Sequence, residues 1–337
     1  MFLDISRLVG NFVVSFFVLT LFTFTLTQFF PDGTDFLFDP SKNTQLFPMA
    51  SLTIERPEDN LLFEYIFYLN HILSGNFGFS SMRGTPIFED FFIYFPATIE
   101  LAAAALLFAL LFGLPLGMYA AKRKNKWQDK LVMSGTLVGY SMPIFWWAML
   151  LVLLFSLTLG ITPVASRIGF EFDIPYQTGF LLIDTLISGQ PFAYQAFLSA
   201  LHHLILPAIV LGTVPLAVIA RSTRSTMTEV LAKDYIRSAK ARGISAVKIL
   251  WKYALRNAMV PLITAMGLQI SILLTGSLIT ETIFSWPGIG KWLLEAVYRR
   301  DFAVIHGGIL AIASFIIIIH LLLEMLRLLI DPVARKN

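Results

Sequence analysis

The 337-residue sequence contains no cysteine, which excludes disulfide bridges, thiolate nucleophiles and Cys-ligated metal sites. Charged residues make up only 14% of it, about half their usual share in soluble globular domains. A phosphate-binding G-x-x-x-x-G-K-[ST] loop is absent, because Gly290-Lys291 is followed by Trp292, and so is the H-E-x-x-H zinc motif. We therefore expect no catalytic residue, no metal site and no cofactor on this chain.

Apolar residues are abundant instead, at 56% of the sequence, and the mean hydropathy is +0.73. A helix that crosses a bilayer needs about 20 apolar residues. This predicts an all-α integral membrane protein in which Pro143 breaks the third span and the row Ala109, Gly113, Gly117 lets helices approach closely. The six predicted spans are residues 8–30, 93–121, 131–159, 202–220, 261–284 and 303–326.

Basic residues are distributed unevenly between the segments that connect these spans. With the N-terminus inside the cell, the inner segments hold 18 of the 25 Lys and Arg residues, and the outer segments hold seven. Because inner loops are enriched in Lys and Arg, we expect both termini in the cytoplasm. The chain then divides into an anchor helix with a long periplasmic loop (1–92), a transmembrane domain (93–330) and a cytoplasmic tail (331–337).

The most polar inner segment, residues 221–260, holds nine basic and two acidic residues. We interpret it as two short helices around Gly243, which suits the left-handed position after a helix end. Thr226 and Glu229 have capping-box spacing for the first helix, provided that the preceding span ends there, and Ser245 can cap the second. The alternative interpretation is a loop that is basic only because inner loops are.

Both helices have a predicted apolar face. Lys248, Lys252 and Arg256 form a column of like charge at i, i+4 spacing, which destabilises an isolated helix, so we expect an anionic protein or lipid partner beside it. The predicted apolar positions are Leu231, Tyr235 and Ala239 in the first helix and Val247, Leu250, Trp251, Ala254, Leu255 and Ala258 in the second.

The order of residues in this segment resembles the coupling loop of binding-protein-dependent ABC import permeases. That loop reads E-A-A, three residues, Gly, nine residues, then I-x-L-P; Ala239 and Gly243 match it. DYIRSAKARG followed by ALRNA resembles the dipeptide/oligopeptide/nickel branch, and TETIFSWPGIGKWL resembles the B permease subunits of Sap (sensitivity to antimicrobial peptides) importers. The departures are Arg237 and Ser238 for Glu and Ala, and Tyr253, Leu255 and Arg256 for Ile, Leu and Pro.

The resemblance implies a type I ABC importer transmembrane fold in the bacterial inner membrane. The implied partners are a homologous second permease, two cytoplasmic ATPase subunits that bind ATP and magnesium, a periplasmic solute-binding protein and membrane lipid, but no nucleic acid. The residues that the resemblance assigns to ATPase coupling are Asp234, Tyr235, Arg237, Ala239, Lys240, Arg242 and Gly243.

Two carboxylates fall inside predicted spans, Glu100 in the second and Glu281 near the outer end of the fifth. Ionisable residues inside a membrane are functional candidates by default. We interpret both as candidates for the translocation path of a cationic substrate, since the predicted outer loops hold fourteen acidic residues against seven basic ones. The alternative is a pair of structural carboxylates, paired or hydrated near the membrane surface.

Three function classes fit such a chain: the membrane subunit of an ATP-driven importer, an ion-coupled secondary transporter and an intramembrane enzyme. The second class is expected to show internal repeats with broken helices, and the third a nucleophile–base or paired-carboxylate arrangement; we find neither pattern. The ordered coupling-loop match favours the importer. Its expected substrates are cationic or antimicrobial peptides, with dipeptides, nickel or polyamines as alternatives.

Overall fold

The computed structural model describes residues 2–29 and 61–330, and its regular elements there are all helical, as predicted. Part of the predicted periplasmic loop (30–60) and the predicted tail (331–337) lie outside the described residues. π-helical segments, Val152–Thr158 and Ile249–Leu255, follow α5 and α9. The helices are α1 (Phe2–Phe29), α2 (Leu61–Leu73), α3 (Ile87–Lys122), α4 (Trp127–Ser141), α5 (Ile144–Leu151), α6 (Leu181–Ile187), α7 (Ala193–Leu231), α8 (Asp234–Ala241), α9 (Ala246–Lys248), α10 (Arg256–Ile283), α11 (Ile289–Arg299) and α12 (Phe302–Ile330).

Within the described part of the chain, α1, α3, α7, α10 and α12 are long and apolar enough to cross a membrane. The predicted third span is broken at Pro143, as expected, because α4 meets the helical segment that begins with α5 at an angle of 104°. The bend lies at Met142, which is extended with ψ 130° because the following Pro143 disfavours the helical conformation before it. Counting the bent pair as one span gives the predicted six.

The chain divides into two compact units, Met1–Pro96 with Gly288–Met325 and Ala97–Pro287 with Leu326–Asn337. In the first unit, residues 74–86 form a turn-rich segment after α2. Asp301 fixes this segment, because its buried carboxylate accepts hydrogen bonds from the hydroxyls of Ser80 at 2.6 Å and Ser81 at 2.9 Å. This stretch is therefore held in an ordered, turn-rich conformation.

In the second unit, α7 packs against α10, α4 and α6. It also approaches α3 closely, because a Cβ added to Gly117 would lie 2.5 Å from the carbonyl oxygen of Ala220. At Gly113 the added Cβ would lie 3.0 Å from the carbonyl oxygen of Leu216. The predicted role of the small-residue row in close helix packing is thus confirmed.

Two expectations about helix ends are wrong. The fourth span does not end near residue 220, because α7 continues to Leu231 and carries Thr226 and Glu229 in its interior, so they start no helix. The segment 221–231 contains no glycine or proline that would stop a helix. The second helix of the polar segment is not short either, since α9, the π-helical segment and α10 form one continuous helix to Ile283.

Candidate functional site

The turn between α8 and α9 is a Schellman motif centred on Gly243. The Gly243 amide donates to the carbonyl of Lys240 at 3.0 Å, and the Ile244 amide donates to that of Ala239 at 3.2 Å. Gly243 has φ +72°, and no atom lies within 4 Å of the Cβ that it lacks. The backbone conformation, rather than crowding, therefore requires glycine here, and the predicted helix end is confirmed.

The inward face of α8 carries Ile236 and Ala239, which are fully buried. They pack in an apolar cluster with Met118 of α3, Met227 of α7 and Ile249. The predicted stripe is right for Ala239 but wrong for Tyr235, which is exposed. The reason is that α8 begins at Asp234, so the helical period does not run on from Leu231.

The inward face of the next helix is set by its π-helical turn. Ile249 and Ala254 are both buried although they are five residues apart, because the i→i+5 hydrogen bonds of a π-helix bring such residues close to the same face. A regular 3.6-residue period would have buried Val247 and Trp251 instead. These two side chains are 69% and 55% exposed, so that part of the predicted face is wrong.

The opposite face of α8 is exposed and polar. An ion pair on this face joins Arg237 and Asp234 at 3.5 Å, and both side chains are largely exposed, so it contributes little stability. The column Lys248, Lys252 and Arg256 is exposed as well. Of the seven predicted coupling residues, Ala239 belongs to the buried face, and the exposed ones are Asp234, Tyr235, Arg237, Lys240, Arg242 and Gly243.

Two of the nine basic residues of the polar segment serve the fold, which the sequence alone did not reveal. Arg224 donates from Nε and Nη2 to both oxygens of Asp129 at 2.6 and 2.7 Å and so ties α7 to α4. Arg221 lies over the ring of Tyr140, 4.6 Å from its centre. Residues 122–130 hold five basic residues and a single acid, Asp129, and that lone acid was the available signal.

Glu100, a predicted path residue, is held in a network inside the second unit. Arg167 donates to its Oε2 from Nε at 2.9 Å, and the amide of Leu182 donates to its Oε1 at 2.8 Å. Arg167 also donates to the carbonyl of Gly179 at 2.9 Å and lies over the ring of Trp286. We call this network the outer clamp. It joins α3 to residues 159–180, which lie between the π-helical segment Val152–Thr158 and α6.

Glu281, the other predicted path residue, is completely buried near the end of α10. Thr98 of α3 donates its hydroxyl to Oε1 of Glu281 at 2.7 Å. The ring nitrogen of Trp286 donates to the carbonyl of Ala97 at 2.8 Å close by. Neither Glu100 nor Glu281 is exposed within this chain, so their role in a translocation path stays a prediction.

A groove of about 510 Å³ lies beside Glu100, between α3, α6 and α7. Apart from Glu100 its lining is apolar, with Leu107, Phe180, Ile183 and Ile205 among its walls. Such a lining accommodates apolar groups, and Arg167 already occupies the carboxylate. Among residues 2–29 and 61–330, no three His, Asp or Glu side chains group in a way that could hold a metal ion.

Long apolar helices joined to a polar helical hairpin define a multi-pass membrane protein. The chain belongs to the family of binding-protein-dependent transport system inner membrane components, whose model matches residues 113–336. It is thus a multi-pass inner-membrane protein and a permease subunit rather than an enzyme.

Two relatives and one solved structure place it further. It is 45% identical to the Di/tripeptide transport system permease protein DppB of Pseudomonas aeruginosa over 339 residues, covering 99% of this chain and 98% of the relative. It is 37% identical to the Putrescine export system permease protein SapB of Escherichia coli K12 over 325 residues, covering 96% and 95%. A chain of the inward-facing MetNI methionine ABC transporter superposes with a TM-score of 0.52 at 15% identity, covering 70% of this chain and 93% of that one. The last likeness confirms the expected type I importer fold.

Proposed function

We propose that this chain is the permease subunit of an ABC importer that moves short peptides across the inner membrane. The observation that carries the proposal is the hairpin of α8 and α9, which is packed on one face and polar and exposed on the other. A helix so placed presents backbone and charge to a second protein while remaining fixed to the membrane helices. The 45% identity to a permease named for di- and tripeptides supports the substrate class.

The partner of the exposed hairpin face is an ATPase subunit. This chain has no phosphate-binding loop of its own, so ATP and magnesium are bound by two such subunits. The residues that would meet them are the predicted coupling residues on the exposed face of α8, with Gly243 setting the angle to α9. A homologous second permease and a solute-binding protein complete the transporter, and the family's name refers to the latter.

The hairpin and both termini lie on the cytoplasmic side in this proposal, as the distribution of Lys and Arg favours. The chain lacks cysteine, so single cysteines report location without further engineering. Lys240→Cys should resist an impermeant thiol reagent in intact spheroplasts, and Tyr298→Cys, at an exposed side chain of α11, should react. Equal labelling of both positions would overturn the topology.

The substrate class is the finer part of the proposal. Longer peptides, including cationic ones, and putrescine are the alternatives, because the SapB relatives are named for peptide transport and for putrescine export. The identity is higher to DppB than to SapB, which favours short peptides. Charge selection at Glu100 has little geometric support, since its carboxylate is paired with Arg167.

Reconstitution of the complete transporter in liposomes tests the proposal. We expect ATP-dependent uptake of a di- or tripeptide in the presence of the solute-binding protein, with weaker uptake of a longer cationic peptide and of putrescine. Inverted vesicles reveal direction, since an importer moves substrate out of them. Putrescine movement without peptide movement would replace this proposal with the SapB-like alternative.

A further inference from the structure

One phenylalanine is almost completely exposed in the segment 159–180, which lies between the π-helical segment Val152–Thr158 and α6. Phe170 is 99% exposed, more than any other large apolar side chain in the part of the chain that the structure describes. It lies outside the helices that are long enough to cross a membrane, so it does not belong to the lipid-facing surface of a span. A fully exposed aromatic ring is unfavourable in water, and such rings are enriched where proteins bind partners.

The backbone on both sides of Phe170 is fixed. The amide of Gly169 donates to the hydroxyl of Ser199 on α7 at 3.1 Å. The ring of Phe172 packs against that of Phe192 with 5.8 Å between the centroids. Phe170 therefore projects from a short stretch that is attached immediately before and after it. An element held in one conformation before binding loses less conformational entropy when it binds.

The rest of this segment is attached to the outer clamp. The amide of Ser166 donates to the carbonyl of Phe284 at the end of α10 at 2.8 Å. Arg167 is held by Glu100, and Asp184 accepts hydrogen bonds from the amide and hydroxyl of Thr178 at 2.8 and 2.6 Å. The fold thus uses the side chains of Arg167 and Thr178 internally while leaving the ring of Phe170 uncovered.

The charges beside Phe170 indicate which kind of surface it fits. Glu171 and Asp173 are exposed, and residues 168–180 contain no Lys or Arg. Insertion of the ring into a bilayer would draw two carboxylates toward the apolar layer and toward anionic head groups, which is unfavourable. A protein surface with an apolar pocket bordered by Lys or Arg satisfies both the ring and the carboxylates.

We propose that Phe170, flanked by Glu171 and Asp173, is an anchor that holds the solute-binding protein on this permease. The segment adjoins the start of α7, whereas α8 follows the end of this 39-residue helix. The anchor and the ATPase-facing hairpin therefore lie at opposite ends of a helix about 58 Å long. This inference rests on the proposed function, in which a solute-binding protein delivers the substrate.

The test uses the complete transporter in phospholipid nanodiscs and its purified, dipeptide-loaded solute-binding protein. Phe170→Ala should raise the concentration of solute-binding protein (here the receptor) that gives half-maximal ATPase stimulation by at least about tenfold, as expected for removal of an aromatic anchor. ATPase activity without receptor should stay at the wild-type value. Phe170→Tyr should restore binding. Tyr176→Ala, which removes a 60% exposed ring from the same segment, is the matched control and should have little effect.

A second readout identifies what covers the residue. Phe170→Cys creates the one thiol of the chain and can carry an environment-sensitive dye. A blue shift of its emission on addition of receptor supports the anchor. A full blue shift in receptor-free nanodiscs, or an unchanged half-maximal concentration for Phe170→Ala, overturns it. If no receptor stimulates even the wild-type transporter, the proposed function itself fails, which separates the two results.

Discussion

The polar segments at the two ends of α7 use their charges in opposite ways. Near its start, Arg167 and Glu100 form a nearly buried ion pair that joins separate parts of the fold. Beyond its end, the α8–α9 hairpin keeps its basic side chains, such as Lys240 and Lys248, exposed. A buried pair is costly to break, whereas an exposed charge contributes little to stability. The ion pair near the start of α7 therefore holds the chain together, whereas the basic side chains of the hairpin remain available to another molecule.

The largest effect is expected from breaking the outer clamp. Glu100→Ala leaves the guanidinium of Arg167 without its carboxylate and the amide of Leu182 without its acceptor. We expect the free energy of unfolding in detergent to fall by about 3–5 kcal/mol. Glu100→Gln should cost less, because the amide oxygen can still accept from Leu182. Thermal unfolding of the purified subunit measures both.

The same variants decide the role of Glu100 in transport. If Glu100 acts only in the clamp, Glu100→Gln lowers uptake of cationic and neutral peptides of equal length in parallel. A selective loss of cationic uptake would instead place this carboxylate in the translocation path. Glu281→Gln, at the buried partner of Thr98, extends the comparison to the second predicted path residue.

A smaller loss of stability but a clear loss of coupling is expected at the other end. Gly243→Val forces a β-branched residue to φ +72°, which costs about 1–3 kcal/mol locally. The membrane content of the transporter should stay normal while ATP-driven uptake falls. Gly243→Asn is the matched control, because asparagine tolerates this conformation better. Wild-type uptake in the Val variant, with wild-type ATPase stimulation, would show that the turn does not transmit coupling.

Acid pH should destabilise the fold around Asp184 in α6. Burial opposes ionisation of Asp184, but hydrogen bonds from Thr178, Gln177 and Gly179 outweigh it and hold the pKa of its carboxyl below the ordinary 3.8. A lowered pKa in the folded state stabilises the fold fully above the ordinary value, and this stabilisation is lost as pH falls through the lowered pKa. Melting temperatures between pH 6 and pH 3 should drop more for wild type than for Asp184→Asn. Parallel curves would contradict this role.

The smallest effect on stability is expected from Lys252→Gln. Its side chain is exposed, so the free energy of unfolding should change by less than about 0.5 kcal/mol. If the hairpin meets an acidic ATPase surface, the variant should weaken ATPase binding more at low salt than at high salt, because salt screens exposed charges. Binding that is independent of salt in the wild type would argue against an electrostatic partner at this column.

The sequence predicted correctly those features of the fold that depend only on neighbouring residues. Apolar runs gave the spans, Pro143 gave the break at Met142, and Gly243 gave the helix end, because each depends on nearby residues only. The partners of Glu100 and Asp129 could not be found this way, since Arg167 and Arg224 lie 67 and 95 residues away and meet them only after the helices pack. The π-helical segment Ile249–Leu255 has no compositional signature, so the face that it buries was predicted incorrectly.

One continuous helix, from Ala246 to Ile283, connects the hairpin to the outer clamp. Its 38 residues span about 57 Å at 1.5 Å per residue. Just beyond its far end, the carbonyl of Phe284 binds Ser166 and the ring of Trp286 lies under Arg167. If the helix moved as a rigid rod about its hairpin end, a tilt of about 5° would displace the far end by about 5 Å, given that rise per residue. A small movement of α8 would then become a larger displacement at the far end of this helix, where it contacts the segment that carries Phe170.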